Sequence, residues 1–212
     1  MNKKQILIWV ISVVPLLMVA AVYRYLPEQI PTNWGINGSV EYGPKATIWM
    51  LAGMAPLFGI LFSVLPSIDP KHRNYGKFMG VYQDFLLFLQ IFLLVMTGIV
   101  LTESVYPGTV QVPTVTCAMC SILFMAAGNM MPKFRQNFFC GFKTPWALAD
   151  EWVWTKTQRL GGRMMFGAGI VGLIGAFLPD DRWKMTALFV PLMAAVVIPG
   201  IMSYIWYRKI TK

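Results

Sequence analysis

The chain has 212 residues, of which 57% are hydrophobic and only 13% are charged, and its formal net charge is +9. A soluble domain of this length needs a more polar exterior, so the composition indicates a membrane protein and excludes a soluble globular one. Nucleic-acid binding is the weaker explanation of the basic balance, because the cations follow a pattern that reports membrane orientation.

Six apolar runs recur along the chain, and each is close to the length that crosses a bilayer. A hydrocarbon core of about 30 Å needs roughly 20 helical residues. In lipid, isolated runs can satisfy their backbone hydrogen bonds only as helices. The sequence therefore predicts an all-α fold, a polytopic membrane bundle of six transmembrane helices at 6–23, 46–66, 78–101, 112–131, 160–178 and 185–207. The first run has no convincing cleavage site after it and is expected to remain in the bilayer.

The distribution of lysine and arginine predicts the orientation of these helices, because cytoplasmic loops retain them. With both termini cytoplasmic, only Arg24, Lys45, Arg182 and Lys184 lie outside. The remaining cations then lie on or near the cytoplasmic side: Lys3, Lys4, Lys71, Arg73, Lys77, Lys133, Arg135, Lys143, Lys156, Arg159, Arg163, Arg208, Lys209 and Lys212.

The first outer loop, residues 26–45, carries a turn signal. Asn37 and Gly38 lie between two short segments that favour strands, and Pro27 and Pro31 stiffen the approach. We expect a small extracellular hairpin or a compact loop here.

The inner loop between spans four and five is rich in aromatic and basic residues. Such a mixture suits the layer where rings meet acyl chains and cations meet lipid phosphates. Thr144 followed by Pro145 also has the pattern of a helix start, with Asp150 and Glu151 one turn further on. We therefore expect an interfacial cytoplasmic loop or short helix that leads into span five.

Two stretches of the chain resemble known families. The string GNMMPKFRQNFFCGFKTPWAL, residues 128–148, with the residues that follow it up to Gly162, closely resembles the signature of the SdpI family of bacterial membrane immunity proteins. The outer segment LPEQIPTNW, with Gly38 and the later YGPK, is similar to the DUF1648 region that often precedes it. The resemblance divides the chain into a DUF1648-like region (1–66), a third span with its flanking loops (67–111) and an SdpI-like region (112–212).

This resemblance implies a bacterial cell-membrane protein with six spans that is not an enzyme. Named members of the family protect a cell from a secreted killing peptide and can hold a cytoplasmic transcriptional repressor at the membrane. The chain departs from the usual pattern at Asn33 and Gln158, where such proteins commonly carry histidine, and at Lys143, where arginine is usual. The expected partner-binding residues match the motif and offer hydrogen bonds, charge or a flat ring: Asn129, Arg135, Asn137, Lys143, Thr144, Pro145, Trp146 and Trp154.

Several polar side chains fall inside the predicted spans, where an unpaired charge is costly. Asp84 lies in span three with Gln83 and Gln90 nearby, and Arg163 lies at the cytoplasmic end of span five. We expect Asp84 and Arg163 to face each other or to share a polar cavity. These residues support an alternative function, a small transporter or channel, although the sequence shows no clear inverted repeat.

Few residues in the chain suit catalysis or metal binding. His72 is the only histidine, so neither a Ser-His-Asp arrangement nor an HExxH site can be assembled. The pair Cys117 and Cys120 lies in an apolar run without accompanying ligands, which favours small core residues over a metal site. We therefore expect no metal, no cofactor and no direct contact with nucleic acid.

Small residues recur in the fifth span, with Ala168, Gly172 and Ala176 four residues apart and Gly169 and Gly175 beside them. This spacing allows the backbone of another helix to approach closely. The expected consequence is tight packing within the bundle.

Overall fold

A computed structural model of the chain describes residues 2–35 and 38–211. Within these residues the fold is mainly helical, with one small sheet near the N-terminal part of the chain. The elements in chain order are α1 (Lys3–Val22), β1 (Gln29–Trp34), β2 (Val40–Pro44), α2 (Ile48–Ile68), α3 (Met79–Val105), α4 (Val112–Met130), α5 (Pro145–Ala149), α6 (Glu151–Gly175) and α7 (Asp181–Ile210).

Five of the described helices are long and apolar enough to cross a membrane: α1, α2, α3, α4 and α7. They lie within a few residues of the predicted spans. The remaining prediction, a span over 160–178, differs from the structure because α6 begins earlier, at Glu151. Asp150 caps this start by accepting from the backbone N–H of Val153, and the added turns carry Lys156 and Arg159. Its basic first half and its glycines leave α6 less apolar than the others.

The predicted outer hairpin is present. β1 and β2 are antiparallel, with Gln29 opposite Pro44 and Trp34 opposite Val40, and the register shifts at Thr32. Gly38 has a φ of +78°, which glycine adopts without strain. Asn37, the other half of the predicted turn, lies outside the described residues. The all-α class therefore holds for the bundle but not for this loop.

Long-range contacts define two ends of the bundle. Asn2 bonds to Gln83, which brings the start of α1 to the start of α3. The loop after α2 bonds to residue 138, and Thr144 bonds to Ser203 near the end of α7. We call this the connector end, after the α4–α6 connector (residues 131–150). The hairpin, the α3–α4 loop and the α6–α7 loop line one cavity at the opposite, hairpin end.

Small residues bring α4, α6 and α7 into close contact, as the spacing in α6 predicted. A Cβ atom added at Gly162 would lie 2.6 Å from the carbonyl oxygen of Gly128. At Gly169 it would lie 2.7 Å from the carbonyl oxygen of Ser121, and at Gly172 it would lie 2.8 Å from a methyl group of Leu188. Glycine is required at Gly162 and Gly169 because the neighbouring atoms there are backbone, whereas the neighbour of Gly172 is a side chain that can shift.

Candidate functional site

The α4–α6 connector is folded onto the loop after α2 by one buried carboxylate. Asp69 is 1% exposed and follows the last residue of α2. Its oxygens accept hydrogen bonds from the backbone N–H of Lys71 (2.7 Å), the hydroxyl of Tyr75 (3.1 Å) and the backbone N–H of Phe138 (2.8 Å). A buried carboxylate is stable only with such partners, so this residue fixes the position of the connector.

Asn137 shapes the turn that follows. Its side chain is fully buried, and its Oδ1 accepts from the backbone N–H groups of Phe139 (2.9 Å) and Cys140 (2.6 Å). Its Nδ2 donates to the carbonyl oxygens of Arg135 (2.8 Å) and Cys140 (3.2 Å). Asparagine commonly forms turns of this kind because its amide can mimic a backbone peptide group. Both polar atoms of the Asn137 amide therefore form their hydrogen bonds within the protein.

Two glutamines stabilise the fold of the connector, one from α6 and one from within the connector. The amide of Gln158, on α6, both accepts from the backbone N–H of Phe142 (3.1 Å) and donates to the carbonyl of Phe142 (3.0 Å). The amide of Gln136 donates to the carbonyl oxygens of Ala147 and Leu148 in α5. Gly141 has a φ of +90° and lies against Gln158 so closely that no side chain fits. The glutamine found in place of the usual histidine is therefore a full structural partner of this turn.

An aromatic cluster fills the space between the connector and α3. The rings of Tyr75 and Phe78 are 4.9 Å apart, and those of Phe78 and Phe134 are 5.4 Å apart. Trp154, which is 1% exposed, donates from its indole nitrogen to the carbonyl of Phe134 at 2.9 Å. Such pairs stabilise beyond the area that they bury, and they give the connector a rigid base.

The eight candidate partner-binding residues fall into three groups. Asn129, Arg135, Lys143 and Pro145 are exposed. Thr144 and Trp146 are partly buried: the Thr144 hydroxyl bonds to Ser203 and caps α5, as predicted, and the Trp146 ring lies 5.0 Å from that of Tyr204. Asn137 and Trp154 have almost no exposed surface. A prospective partner can therefore touch the first group directly.

Exposed aromatic rings and cations lie on the solvent-accessible surface of the connector end. Phe138 is 41% exposed and Trp152 is 47% exposed. The Lys156 ammonium lies 4.0 Å from the centre of the Trp152 ring and 5.5 Å from that of Trp206. This pairing of a cation with aromatic faces suits a lipid headgroup layer.

Cys140 is a buried thiol of the connector. Burial raises its pKa to about 11, and the neighbouring Tyr75 hydroxyl and Lys143 oppose that shift only in part. A thiol with so high a pKa is protonated at neutral pH and is a poor nucleophile. Cys140 therefore serves packing rather than chemistry.

The polar residues predicted inside the spans have partners other than those expected. Asp84 pairs with Lys4 at 2.5 Å, and both side chains are partly solvent-accessible. Over residues 2–35 and 38–211 no ion pair or hydrogen bond joins Asp84 to Arg163, which is exposed. The structure therefore does not bring Asp84 and Arg163 together as predicted. Gln83 bonds to Asn2, and Gln90 donates to the carbonyl of Ala55 at 2.9 Å.

The main residue that the sequence analysis missed is Asp69. It is a lone acid at the end of an apolar run, followed by Lys71, His72 and Arg73. That isolation is a signal, because a single carboxylate among cations at a helix end often has a structural partner. Nothing in the sequence, however, indicates that this partner is the backbone of Phe138.

The fold and this site define a multi-pass membrane protein whose connector between α4 and α6 is folded by buried polar side chains. Residues 133–204 match the SdpI/YfhL protein family, and residues 10–55 match DUF1648, a domain of unknown function. The first match covers most of the connector, all of α6 and most of α7. The resemblance predicted from the two motifs is thus confirmed.

Similarity to one relative extends over the whole chain. The sequence is 26% identical over 209 residues to the protein named Immunity protein SdpI of Bacillus subtilis (strain 168), and the alignment covers 98% of each chain. No solved structure shows significant similarity. The chain is accordingly a multi-pass bacterial membrane protein with an SdpI/YfhL region and a DUF1648 region.

Proposed function

We propose that this chain is a six-span immunity protein of the bacterial cell membrane, which neutralises a secreted antimicrobial peptide. The observation that carries the proposal is the similarity to the Bacillus immunity protein along 98% of both chains. A match of that extent includes the hairpin, the connector and every long helix, rather than a single motif. The relative is named an immunity protein, and the activity proposed here is binding without chemistry.

In this proposal α6 is the sixth crossing. Its 25 residues span about 37 Å, enough for the hydrocarbon core. It packs between α4 and α7 and runs from the connector end to the hairpin end. Lys156, Arg159 and Arg163 are exposed in its first half, where long side chains reach the interface. The connector end then lies in the cytoplasm, since it also carries most of the other cations.

The connector is proposed to be a rigid platform for a cytoplasmic partner, such as a transcriptional repressor, and for lipid. Arg135 and Lys143 present charge from it, and Asn129 and Pro145 complete the exposed surface. Asn137 and Trp154 act by holding the platform in shape, because their polar atoms bond inside the protein. A preformed surface loses little entropy on binding.

The structure gives less support to the alternative of a transporter or channel. That alternative was based on Asp84 and Arg163 as a pair within the membrane, and Asp84 is instead bonded to Lys4 near the connector end. Gln90 lies deeper, bonded to the backbone of α2. No observation favours this function over immunity.

Complementation tests the proposal. In a Bacillus subtilis strain without its own SdpI, grown beside cells that secrete the killing peptide, the wild-type chain is expected to restore survival. Arg135→Ala changes only the cytoplasmic platform, so it is expected to leave the tolerated peptide dose unchanged and to weaken membrane retention of a cytoplasmic repressor about tenfold, which corresponds to loss of one charged contact worth roughly 1.4 kcal/mol.

Lys77→Ala is the matched control, because Lys77 is an exposed cation of the same end outside the motif. It should retain the repressor like the wild type at equal membrane level. If cells that express the wild-type chain survive no better than cells with an empty vector, the proposal is contradicted. Ion flux through liposomes that Asp84→Asn abolishes would favour the transporter instead.

A further inference from the structure

A deep cavity of about 440 Å³ lies at the hairpin end, between β1 and the ends of α2, α3, α4 and α7. Its walls are mainly apolar and include Met54, Met96 and Met185, whose flexible side chains adapt to different ligand shapes. Thr32 and Asn33 of β1 and Asp181 of α7 add polar groups. An apolar cavity with a few polar groups is the usual form of a binding site.

One wall of this cavity carries a buried polar atom without a partner. The hydroxyl oxygen of Thr116 has no hydrogen-bond partner within the part of the chain that the structure describes. Other buried hydroxyls on α3 and α4 bond to a carbonyl four residues earlier, as Thr97 does to Leu93 and Ser121 does to Cys117. Because a buried unpaired hydroxyl is costly, a ligand group that reaches the Thr116 hydroxyl from the cavity would be stabilised by bonding to it.

A second cavity of about 350 Å³ adjoins the first, and Trp34, Val112 and Asp181 line both. It lies between the hairpin and the loops after α3 and α6, and it is more polar. Glu103 lies here and accepts from the backbone N–H groups of the α3–α4 loop at 2.6 and 2.9 Å, which fixes that wall. The pair forms a polar cleft beside an apolar cavity, and a peptide chain matches this combination better than an acyl chain does.

We propose that the cavity next to Thr116 takes one aromatic side chain with a polar tip, tyrosine or tryptophan, from the secreted peptide. The tip bonds to the Thr116 hydroxyl, the ring packs against the methionines, and the peptide backbone lies in the polar cleft. Aromatic residues of this kind join a large apolar area to one hydrogen-bonding group, which is what the cavity offers. This inference rests on the immunity function proposed above and locates its peptide site.

Side-chain analogues test the cavity by itself. Full-length protein in nanodiscs, labelled with ¹³C-methyl methionine, is titrated with 4-methylphenol, indole and toluene. The Met96 and Met185 signals should shift and saturate, whereas Met193, which is exposed on α7, reports only partition into lipid. Thr116→Val should weaken the affinity for 4-methylphenol about fivefold, which is the effect of losing one neutral hydrogen bond. The affinity for toluene should not change.

The complementation assay then tests the occupant. Thr116→Phe grows into the cavity and should abolish protection, and Thr116→Val should reduce it. Thr186→Phe and Thr186→Val are the matched controls, because Thr186 is exposed on α7. All variants are compared at equal membrane level and melting temperature.

The outcomes separate the two proposals. A wild-type chain that fails to protect overturns the immunity function and with it the peptide as occupant. If the wild type protects and well-folded Thr116→Phe protects equally, the peptide site is elsewhere and the immunity function remains. Analogues that shift Met193 as much as the cavity methionines also overturn the site. Broadening of the cavity signals by acyl-chain spin labels, without a response to the analogues, would show that lipid is the occupant.

Discussion

Replacing Gly162 with valine is expected to leave little folded protein in the membrane. A Cβ atom at this position would lie 2.6 Å from the carbonyl oxygen of Gly128 and 2.9 Å from the Cδ of Pro132. Neither neighbour can move cheaply, since one is backbone in α4 and the other a proline ring. Separating α4 from α6 costs about 3 kcal/mol or more. The melting temperature in detergent micelles and the membrane level measure the effect.

Gly167→Val is the matched control on the same helix. A Cβ atom at Gly167 meets nothing within 4 Å, so this change alters backbone entropy and helix propensity in a similar way without a clash. Melting close to that of the wild type is expected. Equal losses for the two variants would show that helix propensity, not close packing of α4 and α6, explains the glycines.

Replacing Asp69 with alanine is expected to loosen residue 138 from the loop after α2, while Lys71 and Asn74 of that loop stay bonded to Gln136. The backbone N–H groups of Lys71 and Phe138 lose their acceptor, and the Tyr75 hydroxyl keeps only its longer contact of 3.4 Å to Asn137. Leaving buried donors unpaired costs about 3 kcal/mol or more in total. Hydrogen exchange at the Phe138 amide should accelerate about 100-fold or more, which corresponds to roughly 2.7 kcal/mol of lost protection.

Glu151→Ala is the control for the loss of a carboxylate at the same end, because Glu151 is exposed at the start of α6. It should leave exchange at Phe138 unchanged. Asp69→Asn keeps one carbonyl oxygen and should fall between the two. Unchanged exchange in Asp69→Ala would mean that the aromatic cluster and the bonds of Lys71 and Asn74 to Gln136 are enough to hold the connector.

The long helices and the hairpin could be predicted because their signals are local. Apolar length defines α1, α2, α3, α4 and α7, and the strand-prone flanks of residues 37–38 define the hairpin. The start of α6 could not be read from hydropathy, since its first turns are polar and depend on the cap at Asp150. The short α5 could be predicted because Thr144 and Pro145 form a local start signal.

The internal bonding of the site depends on contacts between distant residues, which local patterns do not contain. Nothing in residues 69–75 or 136–140 indicates that these segments pair. Equal membrane depth suggested that Asp84 and Arg163 meet, but depth does not fix the helix face, and Lys4 lies beside Asp84 instead. Residue type likewise does not separate exposed Arg135 from buried Asn137.

Accessibility of two single cysteines tests the central claim that the connector lies in the cytoplasm and the hairpin outside. Tyr42 and Phe138 are both well exposed, at 56% and 41%, and lie at opposite ends of the bundle. Each is changed to cysteine in a chain whose Cys117, Cys120 and Cys140 are alanine. In intact cells a membrane-impermeant maleimide should label the Tyr42→Cys variant and should label Phe138→Cys only after permeabilisation. Labelling of Phe138→Cys from outside intact cells would contradict the account.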